Sequence, residues 1–175
     1  LRIVILTLQI IGKKKLKNNT MTDQFKITIK SGEFKENPRK RIHSIRDPSN
    51  PSLGELKLQL PIAYEGPEGE DGEQEYTPEH YFVSSISGCF FTTFSVVCSN
   101  SNFNYNTLEI TSQGYVGTST GEKVMEKIEQ DINLSIPSSM NKKKAKRILE
   151  MTEKRCPLAK SVKSKIINSY SIEVE

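Results

Sequence analysis

The stretch that decides the fold runs from Thr77 to Asn100, TPEHYFVSSISGCFFTTFSVVCSN. Its first residues read as a helix start, with Thr77 as N-cap, Pro78 at the first helical position and Glu79 against the positive end of the helix dipole. From His80 through Leu108 there is no Asp, Glu, Lys or Arg. Phe82, Val83, Ile86, Phe90, Phe91, Phe94, Val96 and Val97 make the segment apolar on nearly all sides, which predicts a central, buried core helix. A membrane span is the competing expectation, but Ser84, Ser85, Ser87, Thr92, Thr93 and Ser95 interrupt the run too often for hydrocarbon. Ser84, Ser85, Ser87 and Gly88 are instead small residues that let other elements pack closely.

Upstream, Phe25, Ile27 and Ile29 alternate with polar residues between Gln24 and Lys30, the period of a half-buried strand. Leu56, Leu58 and Leu60 repeat that pattern, Arg39 to Ile45 is a weaker strand candidate, and Pro48, Pro51 and Gly54 mark a turn, so a three-stranded meander is expected. The acidic, Gly-rich Glu65 to Tyr76 reads as a surface loop. Downstream, Asn100 to Asn106 ends the helix, and Thr107 to Val116 and Lys123 to Ile136 form a hairpin around Ser119 to Gly121. Asn141 to Arg155 is amphipathic, with Ala145, Ile148, Leu149 and Thr152 on one side. Pro157 opens a further helix to about Ile167, and Tyr170, Ile172 and Val174 make a last strand. The order implies an α+β fold with segregated elements rather than a βαβ parallel sheet.

With 175 residues, 35% of them apolar, a net charge of +4 and both signs mixed, the chain reads as one domain over 21–175, with no call for nucleic acid. Lys142, Lys143, Lys144, Lys146 and Arg147 read as the wet face of an amphipathic helix. Leu1 to Gly12 is apolar and is followed by a basic, Asn-rich segment, the wrong order for a signal peptide and too short for a span. Residues 1–20 are therefore taken as an extension ahead of Met21, with a membrane-surface anchor as the alternative. Three widely spaced cysteines fit reduced thiols in the cytoplasm. Two histidines and no Cys-x-x-Cys leave zinc without ligands, and no Gly-rich loop follows a strand, so neither a metal nor a nucleotide cofactor is expected.

On local sequence, Cys89 lies among small residues of the buried helix, where a cysteine is more often a small hydrophobe than a nucleophile. Cys156 precedes Pro157 and follows Lys154 and Arg155, features that favour a thiolate, although it can equally be a buried helix start. Cys98 is nine residues beyond Cys89, which at about 100° per residue is the opposite side of the helix, and reads as core packing.

Taken together, Thr77-Pro-Glu-His-Tyr-Phe-Val-Ser-Ser-Ile-Ser-Gly-Cys89-Phe resembles the central-helix motif of the OsmC/Ohr family, named for osmotically inducible protein C and organic hydroperoxide resistance protein. Glu79 and Cys89 keep the family's ten-residue spacing, and Lys154-Arg155-Cys156-Pro157-Leu158 matches its second, Cys-Pro motif. Gly54-Glu-Leu-Lys-Leu-Gln-Leu-Pro61 is similar to the segment ahead of the central helix. The resemblance covers roughly Phe25 to Val174. It implies an OsmC-like α+β fold, an intertwined homodimer with active sites at the interface, and reduction of organic hydroperoxides.

In the resemblance, Cys89 is the peroxidatic cysteine and Cys156 the resolving one, and a carboxylate matching Glu79 pairs with an arginine that stabilises the thiolate. Spacing ahead of Leu56 favours Arg46 for that arginine, with Arg39 and Arg41 as alternatives. The intervening 47–51 departs from the Gly-rich turn of Ohr-like members, so the subgroup stays open. The implied cycle passes through a sulfenic acid on Cys89 and a Cys89–Cys156 disulfide that an external dithiol, such as a lipoyl group or lipoylated protein, reduces. The alternative of another class is an OsmC-like redox-sensing or small-ligand-binding module without turnover.

Overall fold

In a computed structural model, residues 25–31, 43–59 and 75–175 are described; calls on 1–24, 32–42 and 60–74, including Leu60, Arg39, Arg41 and the N-terminal extension, lie outside them. The first three strands, β1 (Thr28–Ser31), β2 (His43–Arg46) and β3 (Leu56–Leu58), form the expected antiparallel meander. Its register sets Ile29 opposite Ile45 and Ile45 opposite Leu56, so the apolar residues form one row across a single face. Phe25, at 93% exposure, with Ile27, Ile29 and Leu56, leaves much of this apolar surface uncovered within one chain.

The long helix α1 (Pro78–Asn100) begins as its sequence requires. Thr77 is extended, its Oγ1 accepts from the His80 N–H, and the His80 Nδ1 answers the Thr77 N–H, closing a reciprocal box. The helix lines up with the small sheet through β3: the Gln59 N–H donates to the Tyr76 carbonyl (3.2 Å) and the Tyr81 hydroxyl to the Lys57 carbonyl (2.9 Å). Its far end turns at Asn102 (φ 47°), where Lys144 donates to the carbonyls of Ser101 (3.1 Å) and Asn102 (3.4 Å). A cation on these unpaired carbonyls complements the negative end of the helix dipole.

One expectation for α1 needs correcting. Ile86, Phe90, Phe94, Val97 and Cys98 are buried, but Phe82, Phe91 and Val96 are exposed, so one face is core and the other is open in the single chain. By length and composition the helix could cross a membrane. Its buried face instead joins Phe103, Ile132, Leu134, Ile136, Ala145, Ile148 and Leu149 in one protein core.

That core is roofed by a second sheet of β4 (Thr107–Gly117), β5 (Val124–Ile136) and β6 (Lys165–Val174), in the order β4-β5-β6. The β4–β5 hairpin is as expected, with Gly121 at φ 86° in its turn. Gly114 of β4 permits a close approach: a Cβ there would lie 2.6 Å from the Val83 side chain of α1 and 2.7 Å from the sulfur of Met125.

β6 pairs parallel to β5, from Lys127↔Lys165 to Ile136↔Val174. A parallel pair needs a crossover, and α2 (Lys142–Arg155) with the five-residue α3 (Pro157–Ser161) provides it. Two expectations are thereby overturned, within an α+β fold that holds: the sheet contains a βαβ connection, and the helix opened by Pro157 stops at Ser161 rather than near Ile167. Val162 is extended (φ −102°, ψ 155°), and the β-branched Ile166 and Ile167 enter the strand that pairs with β5.

Candidate active site

Cys89 sits midway along α1 and Cys156 at the joint between α2 and α3, 67 residues later, and the two sulfurs are 3.0 Å apart as free thiols. The joint follows from Pro157. Proline lacks the N–H that would continue α2 and forces the residue before it out of the helical region, so Cys156 is extended (φ −62°, ψ 112°) while its own N–H still caps Thr152 O at 3.0 Å. A residue that ends one helix and starts the next is fixed on both sides, which aims its short side chain at α1.

The local reading of the two thiols is reversed in one respect. Cys89 is half-buried and Gly88 beside it opens on empty space, whereas Cys156 is 1% exposed. Burial, and then the adjacent Cys89 sulfur, push the Cys156 thiol up to about 11 despite backbone N–H groups from Ala159 and Leu158 that favour its thiolate. Lys154 and Arg155 face solvent. Cys98 is core, as expected; burial pushes it up to about 11.

Two polar clusters flank the pair. Gln130, fully buried on β5, donates through Nε2 to the hydroxyls of Ser87 (3.0 Å) and Ser112 (3.1 Å), which bond each other at 2.7 Å. Tyr170 of β6 donates to Glu153 of α2 (2.6 Å), and the Oδ1 of Asn168 on the same strand stays buried without a partner. Burial and that carboxylate raise the Tyr170 hydroxyl. Neither cluster was anticipated. Gln130 carries a signal, since it stands between Ile128 and Ile132 in the inward row of β5, where a buried amide must find partners.

Cys156, Gln130, Glu153 and Asn168 border a cavity of about 220 Å³. A larger one, about 980 Å³, runs along the first half of α1 beside Ile110, Ser112 and Met125 and is bordered by Glu79.

The other two anticipated residues are not brought to the sulfurs within one chain. Ten residues separate Glu79 from Cys89, which on one helix is about 15 Å along the axis, and Glu79 Oε2 is buried without a hydrogen-bond partner. Arg46 lies at the end of β2, its side chain 67% exposed, and donates to Glu55 Oε2 at 2.8 Å. That pairing lowers the Glu55 carboxyl.

Comparison with known proteins places this geometry in context. The family model described as OsmC-like protein matches residues 69–170. Among solved structures, an OsmC-like protein from Mycoplasma pneumoniae superposes with a TM-score of 0.69 at 15% identity, covering 87% of this chain and 99% of that one. An organic hydroperoxide resistance protein OsmC from Legionella pneumophila gives 0.59 at 15% identity over 87% and 100%. The organic hydroperoxide resistance protein OhrB of Bacillus subtilis gives 0.55 at 15% over 86% and 98%. No curated protein matches by sequence.

Proposed function

We propose that this chain, which belongs to the OsmC-like protein family, is a thiol-dependent peroxidase that reduces organic hydroperoxides. The observation that carries the reading is the 3.0 Å approach of two free thiols from elements 67 residues apart. The Cys89 thiolate attacks one peroxide oxygen, the O–O bond breaks, and the departing oxygen takes a proton and leaves as an alcohol. Cys156 then attacks the sulfur of the resulting sulfenic acid, expelling water and leaving a Cys89–Cys156 disulfide. An external dithiol such as a lipoyl group returns both thiols. No bound cofactor is required. Cys89 takes the first role because it is the more open of the two sulfurs.

The site is completed in a homodimer. Glu79 cannot reach Cys89 along its own helix, and its orphaned oxygen calls for a donor. The exposed Phe82, Phe91 and Val96 of α1 and the apolar row of the small sheet support burial against a second copy. Arg46 would meet Glu79 there by exchanging Glu55 for it. Three unpaired thiols suit a cytoplasmic setting.

Steady-state turnover of cumene hydroperoxide with dihydrolipoamide tests the assignment: Cys89→Ser should lose activity and Cys156→Ser should lose dithiol-supported cycling. Full activity in Cys89→Ser sinks it. The engagement of Arg46 by Glu55 favours a second reading, an OsmC-like module that senses oxidants or binds a small ligand without turnover. That reading expects peroxide to join Cys89 to Cys156 once, with no dithiol-dependent cycling.

A further inference from the structure

We infer that the reductant attacks the disulfide at Cys156 rather than at Cys89, entering through the 220 Å³ cavity bordered by Cys156, Glu153, Lys160 and Asn168. The inference rests on the disulfide cycle proposed above and assigns a site and a direction within it.

Displacement at a disulfide is in line: the incoming sulfur approaches the attacked sulfur from the side remote from the leaving one. The cavity lies on the Cys156 side of the pair, since Cys156 borders it and Cys89 does not. Its chemistry also suits a small dithiol. Asn168 Oδ1 is buried without a partner and can accept from an amide N–H or from the second thiol of the reductant. Lys160, on the turn of α3 that follows Cys156, puts a cation at the wall of the cavity, where it favours an incoming thiolate.

Attack at Cys156 expels Cys89, the more open of the two sulfurs. One reductant thiolate forms a bond to Cys156 Sγ, the Cys89–Cys156 bond breaks, and its electron pair leaves on Cys89. The second reductant thiol then loses its proton and attacks the first reductant sulfur, closing a cyclic disulfide. Cys156 departs with the electron pair and takes a proton. The dithiol gives up two electrons and two protons, and the two cysteines regain them.

The protein disulfide is made with diamide, so the test does not depend on peroxide chemistry. Brief exposure to 2-mercaptoethanol, an acid quench, maleimide capping and peptide mass spectrometry then locate the mixed disulfide. The expected product carries the thiol on Cys156 and the maleimide on Cys89, and the reverse distribution overturns the inference. In a second arm, Ala159→Leu and Asn168→Leu narrow the cavity from two different elements. Dihydrolipoamide should reduce the disulfide of either variant at least tenfold more slowly, while peroxide forms it within twofold of the wild-type rate. Unchanged reduction in both variants overturns the inference but leaves the peroxidase reading standing. Normal reduction behaviour without peroxide turnover of the wild type overturns the peroxidase reading alone.

Discussion

Cys98 and Cys156 each hold a proton more tightly in the folded chain than in the unfolded one, because burial penalises the thiolate. A raised folded pKa contributes stability that is complete below the unfolded value and disappears as pH climbs through the folded one. The window follows: stability to urea should fall between about pH 9 and about pH 11, and Cys98→Val should fall less steeply there. An equal decline in that variant contradicts the assignment. At this scale the sequence was a partial guide. Cys98 was legible as core from helical phase alone, and Cys89 and Cys156 were legible as a pair through their motifs. Which of them was more sealed was not, because the burial of Cys156 depends on α1 and β6 closing over it rather than on Lys154, Arg155 or Pro157. Arg46 shows the same limit: spacing located a candidate, whereas its partner Glu55 is set by strand register.

Among the elements, α1 was legible from both ends of its signal, the Thr77-Pro78-Glu79 start and the charge-free run behind it. Replacing the start tests it: Thr77→Ala removes the acceptor for the His80 N–H and should cost about 1 kcal/mol of stability, read as a lower urea midpoint with an unchanged slope. No shift in midpoint would show that the box with His80 is dispensable. The last third of the chain was less legible for a physical reason. A Pro at a helix start and an apolar run beyond it are compatible with a long helix, and only the availability of β5 as a parallel neighbour turns Lys165–Val174 into a strand. Strand pairing is a long-range event that local propensity does not encode.

At the scale of the molecule, apolar surface among the described residues is left without cover in the single chain on the outer face of α1 and on the face of the small sheet that carries Ile27, Ile29 and Leu56. Solvation of that much apolar area is unfavourable, and a second copy of the chain would remove it. Sedimentation velocity should therefore show two chains per particle, and Phe91→Glu, at an exposed position of α1, should shift the distribution toward one. A wild-type monomer would contradict the dimer. The homodimer was implied by family likeness, and periodicity alone misled here, since a run apolar on all sides was read as buried within its own chain.

The short distance between Cys89 and Cys156 has a topological consequence. Joining them ties a closed ring of chain that encloses the whole β4–β5 hairpin and α2, because 67 positions separate the two residues. A ring of that size removes enough freedom from the unfolded ensemble to raise stability by roughly 4 kcal/mol on the chain-entropy relation. The oxidised protein should melt at a clearly higher temperature than the reduced one by scanning calorimetry, and Cys156→Ser should show no such difference after oxidant. Equal melting of the two wild-type forms would count against a ring of this span. Heat resistance would then serve as a record of whether a given molecule has met its oxidant.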